Sequence, residues 1–286
     1  MDDYTIQPIT EGSRNHLLQF LQKDSEANVF FIDAVCKINF SRSNINTKIW
    51  GVFYENVLVA AACSFKSKMN GPADLTIPYG DITALKLLGR FEQDRGGTKV
   101  IEGYSDSVSA FLEGMGDLNF EIHRDSYVYT TDGLDTVDVK SDLNIIYQVA
   151  TLNHKEEIVS ILKLALIEEY DRKVKQTDKH VESILKSIAK SEYIIGLDED
   201  EVVVVIKAKR IESGFALSNL YVKNAFRKHN LAKQMIYAVA GKHSYMIKNF
   251  GKCFLKADEK NYIATNLYEK IGFVKASPCK TVVTDA

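Results

Sequence analysis

The chain lacks the marks of several specialised classes. Its four cysteines, Cys36, Cys63, Cys253 and Cys279, form no C-x-x-C pair and have no histidine at zinc spacing. Free, mostly buried thiols are therefore expected, and no metal. A formal net charge of −2 is far from the basic excess of a general nucleic-acid binder. No apolar run approaches the roughly 20 residues needed to cross a bilayer. The first residues, Met1-Asp2-Asp3-Tyr4, are acidic and lack the basic and apolar regions of a secretory leader. The expectation is a cytoplasmic protein that engages neither nucleic acid nor membrane.

What is present is ordinary for a soluble globular protein, with 45% hydrophobic and 26% charged residues. A length of 286 residues suits one large domain or two moderate ones, each able to bury a core. Residues 4–131 read as one mixed unit. An edge strand at 4–9 precedes a helix with Leu17, Leu18 and Leu21 on one face, and a second helix covers 29–38. Residues 48–53 and 57–65 form a hairpin pattern about Tyr54-Glu55-Asn56. Residues 66–74, with Asn70-Gly71-Pro72, are a loop. A short strand at 75–77 leads to Asp81, which can cap a helix running to Phe91. Residues 100–101, 107–115 and 120–130 add a strand, a helix and a strand.

Residues 132–142 alternate acidic and small residues and read as a linker. From 143 onward the order of elements repeats. A strand at 145–150 leads to helices at 155–168 and 178–189, then to strands at 193–197 and 202–211 joined through Asp198-Glu199-Asp200. Strand, helix, strand and helix follow, with a last edge strand at 281–283. Laying Leu112-Glu113-Gly114-Met115-Gly116 against Tyr268-Glu269-Lys270-Ile271-Gly272 supports a duplication.

Residues 215–273 hold most of the functional signal. The run Phe215-Ala216-Leu217-Ser218-Asn219-Leu220-Tyr221-Val222 has strand character. Polar and basic residues 223–230 follow. They open directly onto a helix whose apolar stripe is Leu231, Ala232, Met235, Ile236, Val239 and Ala240. The first amides of a helix lack intrahelical partners and carry the positive end of its dipole, which suits a pyrophosphate. Arg227, Lys228, His229 and Lys233 surround that end with cationic or potentially cationic groups. Asn230 tolerates a left-handed conformation, which helps aim successive amides inward. A solvated basic turn before an ordinary helix accounts for the same residues equally well.

Three segments together resemble the GNAT superfamily of acyl-CoA N-acyltransferases. They are Leu220-Tyr221-Val222, Arg227-x-x-Asn230-x-Ala232, and Asn261-x-x-Ala264-x-x-x-Tyr268-Glu269-Lys270-Ile271-Gly272-Phe273. The last matches the family's N-x-x-A-x-x-x-Y-E-K-x-G-F at every one of those positions. The loop matches Q/R-x-x-G-x-G/A at Arg227 and Ala232, and has Asn230 where the family usually has glycine. The resemblance implies a mixed α/β fold of two GNAT-like domains, each a mostly antiparallel central sheet flanked by helices. A degenerate copy would span 1–131, the linker 132–142 and an acetyl-CoA-binding domain 143–286. Before its third helix the first copy has Ile77-Pro78-Tyr79-Gly80-Asp81, without Arg or Lys, and it has Leu112 where the second has Tyr268.

The implied activity is acetyl transfer from acetyl-CoA, a co-substrate, to a primary amine on a small molecule or peptide. Leu220, Tyr221 and Val222 would pair through their backbone with the pantetheine arm, and the amide near Val222 would polarise the thioester carbonyl. Backbone amides of Lys228, His229, Asn230, Leu231 and Ala232 would hold the pyrophosphate, with Arg227 beside them. Asn261 would contact the pantetheine or pyrophosphate side, or serve simply as a helix cap. Tyr268, whose phenol stays protonated at neutral pH, would donate a proton to the departing thiolate. By packing alone it is an interior aromatic beside Leu267 and Ile271. No base stands out. Glu212 and Ser218 are the nearest polar candidates, and Glu168, Glu169 and Asp171 end a helix where the family often builds its acceptor pocket. The alternative function is a non-catalytic tandem module acting in CoA binding or protein interaction. A homodimer is compatible with either.

Overall fold

The computed structural model describes residues 3–38, 40, 47–66, 73–134, 142–170, 178–241 and 252–285. Asn70-Gly71-Pro72, most of the linker read at 132–142, Asp171 and the side chain of Glu169 lie outside the described residues. The elements begin with β1 (Tyr4–Pro8), α1 (Arg14–Gln22), α2 (Val29–Lys37), β2 (Thr47–Tyr54), β3 (Val57–Phe65) and β4 (Leu75–Gly80). Next come α3 (Ile82–Gln93), β5 (Val100–Tyr104), α4 (Ser105–Met115), β6 (Phe120–Thr131), β7 (Ile146–Val149), α5 (Lys155–Tyr170) and α6 (Asp178–Ala189). The chain closes with β8 (Tyr193–Asp198), β9 (Glu201–Ile211), β10 (Gly214–Val222), α7 (Leu231–Ala240), β11 (Lys252–Asp258), α8 (Tyr262–Lys270) and β12 (Val274–Thr284). They form two compact units, residues 1–128 with 257–265 and 275–286, and residues 129–256 with 266–274. No described helix is long and apolar enough to cross a membrane.

In the first unit the strand order is β1-β2-β3-β4-β5-β12-β6. Pairing is antiparallel from β1 to β4, parallel between β4 and β5, and antiparallel between β5 and β12. Strand β3 shows why both sheet faces are covered. Ala60 and Ala62 pack with Leu85, Leu88 and Phe111 of α3 and α4, while Ala61 and Cys63 pack with Leu17, Leu21, Phe31 and Val35 of α1 and α2. The β2–β3 turn uses Glu55 and Asn56 at φ 47° and 65°, the positive pair that a tight hairpin requires. Helices α3 and α4 meet backbone to backbone. A Cβ at Gly89 would lie 2.0 Å from the Phe111 carbonyl oxygen, and one at Gly114 2.0 Å from that of Lys86.

Residues 281–283, expected as an edge strand, belong to the eleven-residue β12, which has β5 and β6 as neighbours. Its register pairs Cys279 with Tyr104 and Val283 with Val100. The buried positions Ser277, Cys279, Thr281, Val282 and Thr284 are mostly polar, so they carry little hydrophobic alternation.

In the second unit the strand order is β11-β10-β9-β8-β7. Only β10–β11 is parallel among these pairs. Residues 202–206 of β9 are buried without interruption, as expected for a strand covered on both faces. Val202 and Val205 join Ile158, Ile161, Ile184 and Ile188 of α5 and α6, and α7 also lies against β9 and β10.

The two units repeat small devices as well as element order. Thr10 N–H donates to Ser13 Oγ at 2.9 Å in the turn after β1, and Thr151 N–H donates to His154 Nδ1 at 3.0 Å in the turn after β7. Gly116 and Gly272, which follow α4 and α8, have φ 85° and 104°.

Replacing Gly89 by Ala should cost about 1–3 kcal/mol, because two helix backbones must separate. Gly12→Ala, whose added carbon meets only Thr10 Oγ1 at 3.8 Å, should stay within about 0.5 kcal/mol of the parent. Urea titrations showing equal losses for both would refute the close helix contact.

Candidate functional site

Strand β10, helix α7 and strand β11 form a parallel crossover, and ligands of such sheets sit beyond the carboxyl ends of the strands. Two features of β10 open that end. Its register with β11 runs from Gly214↔Lys252 to Leu217↔Leu255, whereas β10 itself continues to Val222. Its register with β9 slips between Ser218↔Lys207 and Tyr221↔Val205. This bulge places Asn219 at φ 55°. Leu220, Tyr221 and Val222 thus lie on a stretch that has left the β11 ladder.

The stretch is fixed from α5. Tyr221 is buried in the α5–α6 core, and its hydroxyl donates to Glu168 Oε1 at 2.8 Å. Asn224 Nδ2 donates to the same oxygen at 3.0 Å, and Arg227 Nη2 to Oε2 at 2.6 Å. Arg227 Nε also donates to the Val222 carbonyl at 3.0 Å, with the guanidinium 5.1 Å from the Tyr221 ring centre. One carboxylate therefore ties together the strand end, the short turn Asn224–Phe226 and the loop. The Arg227 hydrogen bond holds the Glu168 carboxyl below its usual range, against the opposing effect of burial. Burial, with help from the Glu168 bond, pushes the Tyr221 phenol up to about 12. Glu168 is a structural anchor here, its oxygens accepting from three donors.

The loop then turns sharply. Lys228 has φ 73°, and Asn230 has φ 61° and ψ 13°, the left-handed region. His229 Nδ1 lies 2.7 Å from Asp142 Oδ1, and this bond lowers the Asp142 carboxyl. Leu231 is buried and Ala232 half-buried at the start of α7. Asn230 gives no side-chain cap to that helix. Left-handed residues interleaved with ordinary ones turn neighbouring amides toward a common point, and the helix dipole adds to their field.

The corresponding end of the first unit is built differently. Asp81 follows β4 immediately and accepts from the Ala84 amide at 3.0 Å, so a carboxylate already occupies the start of α3. A Cβ at Gly103 of β5 would lie 3.3 Å from the Pro78 carbonyl oxygen of β4, so these two strands remain close.

Tyr268 is half-buried on α8, its ring centre 6.1 Å from that of Tyr129 and 5.9 Å from that of Phe273. Tyr129 Oη donates to Glu269 Oε1 at 3.1 Å. Asn261 belongs to the first unit and caps α8, its Oδ1 accepting from the Ala264 amide at 3.1 Å. Glu212 is exposed in the β9–β10 turn. Seven residues, six of them in β10, separate it from Leu220, about 20 Å of strand rise. Ser218 is exposed at the bulge. Among the described residues no His, Cys, Asp or Glu group could hold a metal ion.

Strand, loop and helix thus bring Leu220–Val222 and Arg227–Ala232 together, with Asn261 and Tyr268 on a separate helix. Sequence reasoning missed the grip of Glu168, the left-handed Lys228 and the 3.0 Å bond that Asn219 Nδ2 donates to Tyr193 Oη. Only the last left a signal, since Ser-Asn is poor strand material inside an apolar run.

No curated protein matches the sequence. A family model described as an acetyltransferase (GNAT) domain matches residues 154–282. A GCN5-related N-acetyltransferase from Sphaerobacter thermophilus is similar over 99% of this chain and 96% of that one, at 13% identity and a TM-score of 0.67. A GNAT-family acetyltransferase from Colwellia psychrerythraea is similar over 98% of both chains, at 13% identity and a TM-score of 0.56. A tandem GNAT protein from the clavulanic acid biosynthesis pathway is similar over 99% of both, at 10% identity and a TM-score of 0.57. The chain therefore has the GNAT fold along its whole length, and residues 154–282 are an acetyltransferase (GNAT) domain.

Proposed function

We propose that the acetyltransferase domain moves an acetyl group from acetyl-CoA to a primary amine, carried by a small molecule or peptide, by direct attack. The observation that carries this reading is the bulged, parted end of β10 running into a loop with two left-handed residues just before α7. These residues suit such a donor. Amides of Lys228, His229, Asn230, Leu231 and Ala232 can converge on a pyrophosphate, and the helix dipole favours negative charge there. Arg227 sets the loop's shape through Glu168 and Val222. Leu220, Tyr221 and Val222 offer backbone groups beyond the ladder to an extended pantetheine arm.

Bound acetyl-CoA would supply an activated thioester. The Val222 amide would stabilise charge developing on the acyl oxygen, and Tyr268 Oη would deliver a proton to the leaving sulfur. Asn261 serves by fixing the start of the helix that carries Tyr268. We assign the acetyl-CoA-binding domain to 143–286, with 257–265 and 275–286 completing the first compact unit. Residues 1–131 are a degenerate copy, because Asp81 places a carboxylate where a phosphate would sit. A cytoplasmic setting, where acetyl-CoA is at hand, completes the reading.

Asn230→Gly should keep or tighten acetyl-CoA binding, because glycine reaches positive φ freely. Asn230→Val should weaken it about 5- to 30-fold, from a left-handed penalty of about 1–2 kcal/mol. Calorimetry that finds valine equal to asparagine would rule out a left-handed loop in the bound state. For Tyr268→Phe, turnover with a responsive amine from a polyamine and peptide panel should fall about 10² to 10⁴. Acetyl-CoA affinity should be unchanged, since the ring and its packing remain. A wild-type rate would make Tyr268 a packing residue.

A further inference from the structure

The β10 bulge needs something to hold it. Asn219 sits at φ 55° inside a strand, where an extended conformation is otherwise favoured. A one-residue slip would restore a regular ladder and turn every following side chain to the opposite face. Tyr221 would then leave the core, and the Val222 carbonyl would leave Arg227.

Two contacts oppose that slip. Beyond the bulge, Tyr221 is fastened to Glu168. At the bulge itself, Asn219 Nδ2 donates to Tyr193 Oη at 3.0 Å. Tyr193 is itself buried, 1% exposed and part of the α5–α6 core. Lys207 Nζ lies 5.7 Å from its ring centre and is held in turn by Ser187 Oγ at 2.7 Å and by Glu192 at 3.3 Å. Tyr193, Lys207 and Ser218 are aligned in register across β8, β9 and β10, so the phenol ends a row that stops where the bulge begins. Burial pushes the Tyr193 phenol up, which keeps it a neutral partner for the Asn219 amide.

We propose that Tyr193 is a positioning residue that clamps the β10 bulge through Asn219, and so sets the Leu220–Val222 backbone for the pantetheine arm and its acyl group. The inference rests on the reading of β10 as the strand that meets the thioester. It predicts that the clamp matters for acetyl-CoA and CoA alike, since both carry the pantetheine arm that this backbone would meet.

The test uses the full chain with Tyr193→Phe, Asn219→Gly and the double variant. Tyr193→Phe keeps the ring and deletes only the oxygen, while glycine at 219 adopts positive φ without a clamp. In the absence of ligand, amide exchange at Leu220 and Tyr221 should quicken about 2- to 12-fold in Tyr193→Phe, the worth of one hydrogen bond. It should return toward the parent rate in the double variant. Calorimetry should show acetyl-CoA and CoA each weakened about 2- to 12-fold in Tyr193→Phe, and both recovered in the double variant. Unchanged exchange in Tyr193→Phe would overturn the clamp. Loss of binding in Tyr193→Phe without recovery in the double variant would overturn it too, leaving Tyr193 a core filler. If the parent protein binds neither molecule, the proposed function fails, and amide exchange alone then decides the clamp.

Discussion

A strand that leaves its parallel partner partway along is the constraint on which the candidate site depends. Backbone donors and acceptors removed from a ladder must find other partners, water or a ligand. The second unit makes this tolerable by fixing the freed stretch through side chains. Glu168 gathers Tyr221, Asn224 and Arg227, and Tyr193 receives Asn219. Individually each bond is modest, on the order of 1 kcal/mol and somewhat more where a charge takes part. Their value is geometric. They leave Leu220 to Val222 one conformation to present, which is the kind of pre-organisation that acyl transfer rewards.

The two units follow one plan but differ at one helix start. Each has a strand, a helix and a parallel strand in succession, and each closes a helix with a positive-φ glycine. In the second, seven residues from Lys223 to His229 separate β10 from the α7 cap at Asn230. In the first, Asp81 joins β4 to α3 directly and caps the helix with its own carboxylate. A capped helix is locally more stable, and here the cap takes the Ala84 amide and sets a carboxylate at the helix start. The proposed cofactor site needs that helix end open, as it is without a side-chain cap in α7.

Much of the fold was legible because burial imposes periodicity. The helix expected at 178–189 is α6, and the hairpin about Glu55-Asn56 is β2–β3. Asn230 was readable because few residue types reach positive φ cheaply. Strand β12 was only partly visible, since its buried residues are largely hydroxyl-bearing. The role of Glu168 was hidden for a different reason. Its partners lie 53 to 59 residues away, and nothing local distinguishes an anchoring glutamate from a solvated one. Lys228 in a left-handed conformation has no signature either, because residue type disfavours it and tertiary structure overrides the preference.

Amide hydrogen exchange of the whole protein, with and without saturating acetyl-CoA, addresses the central claim most directly. The account predicts added protection over residues 219–233, with residues 75–85 of the first unit unchanged. Protection at 75–85 instead, or no change in either segment, would contradict it.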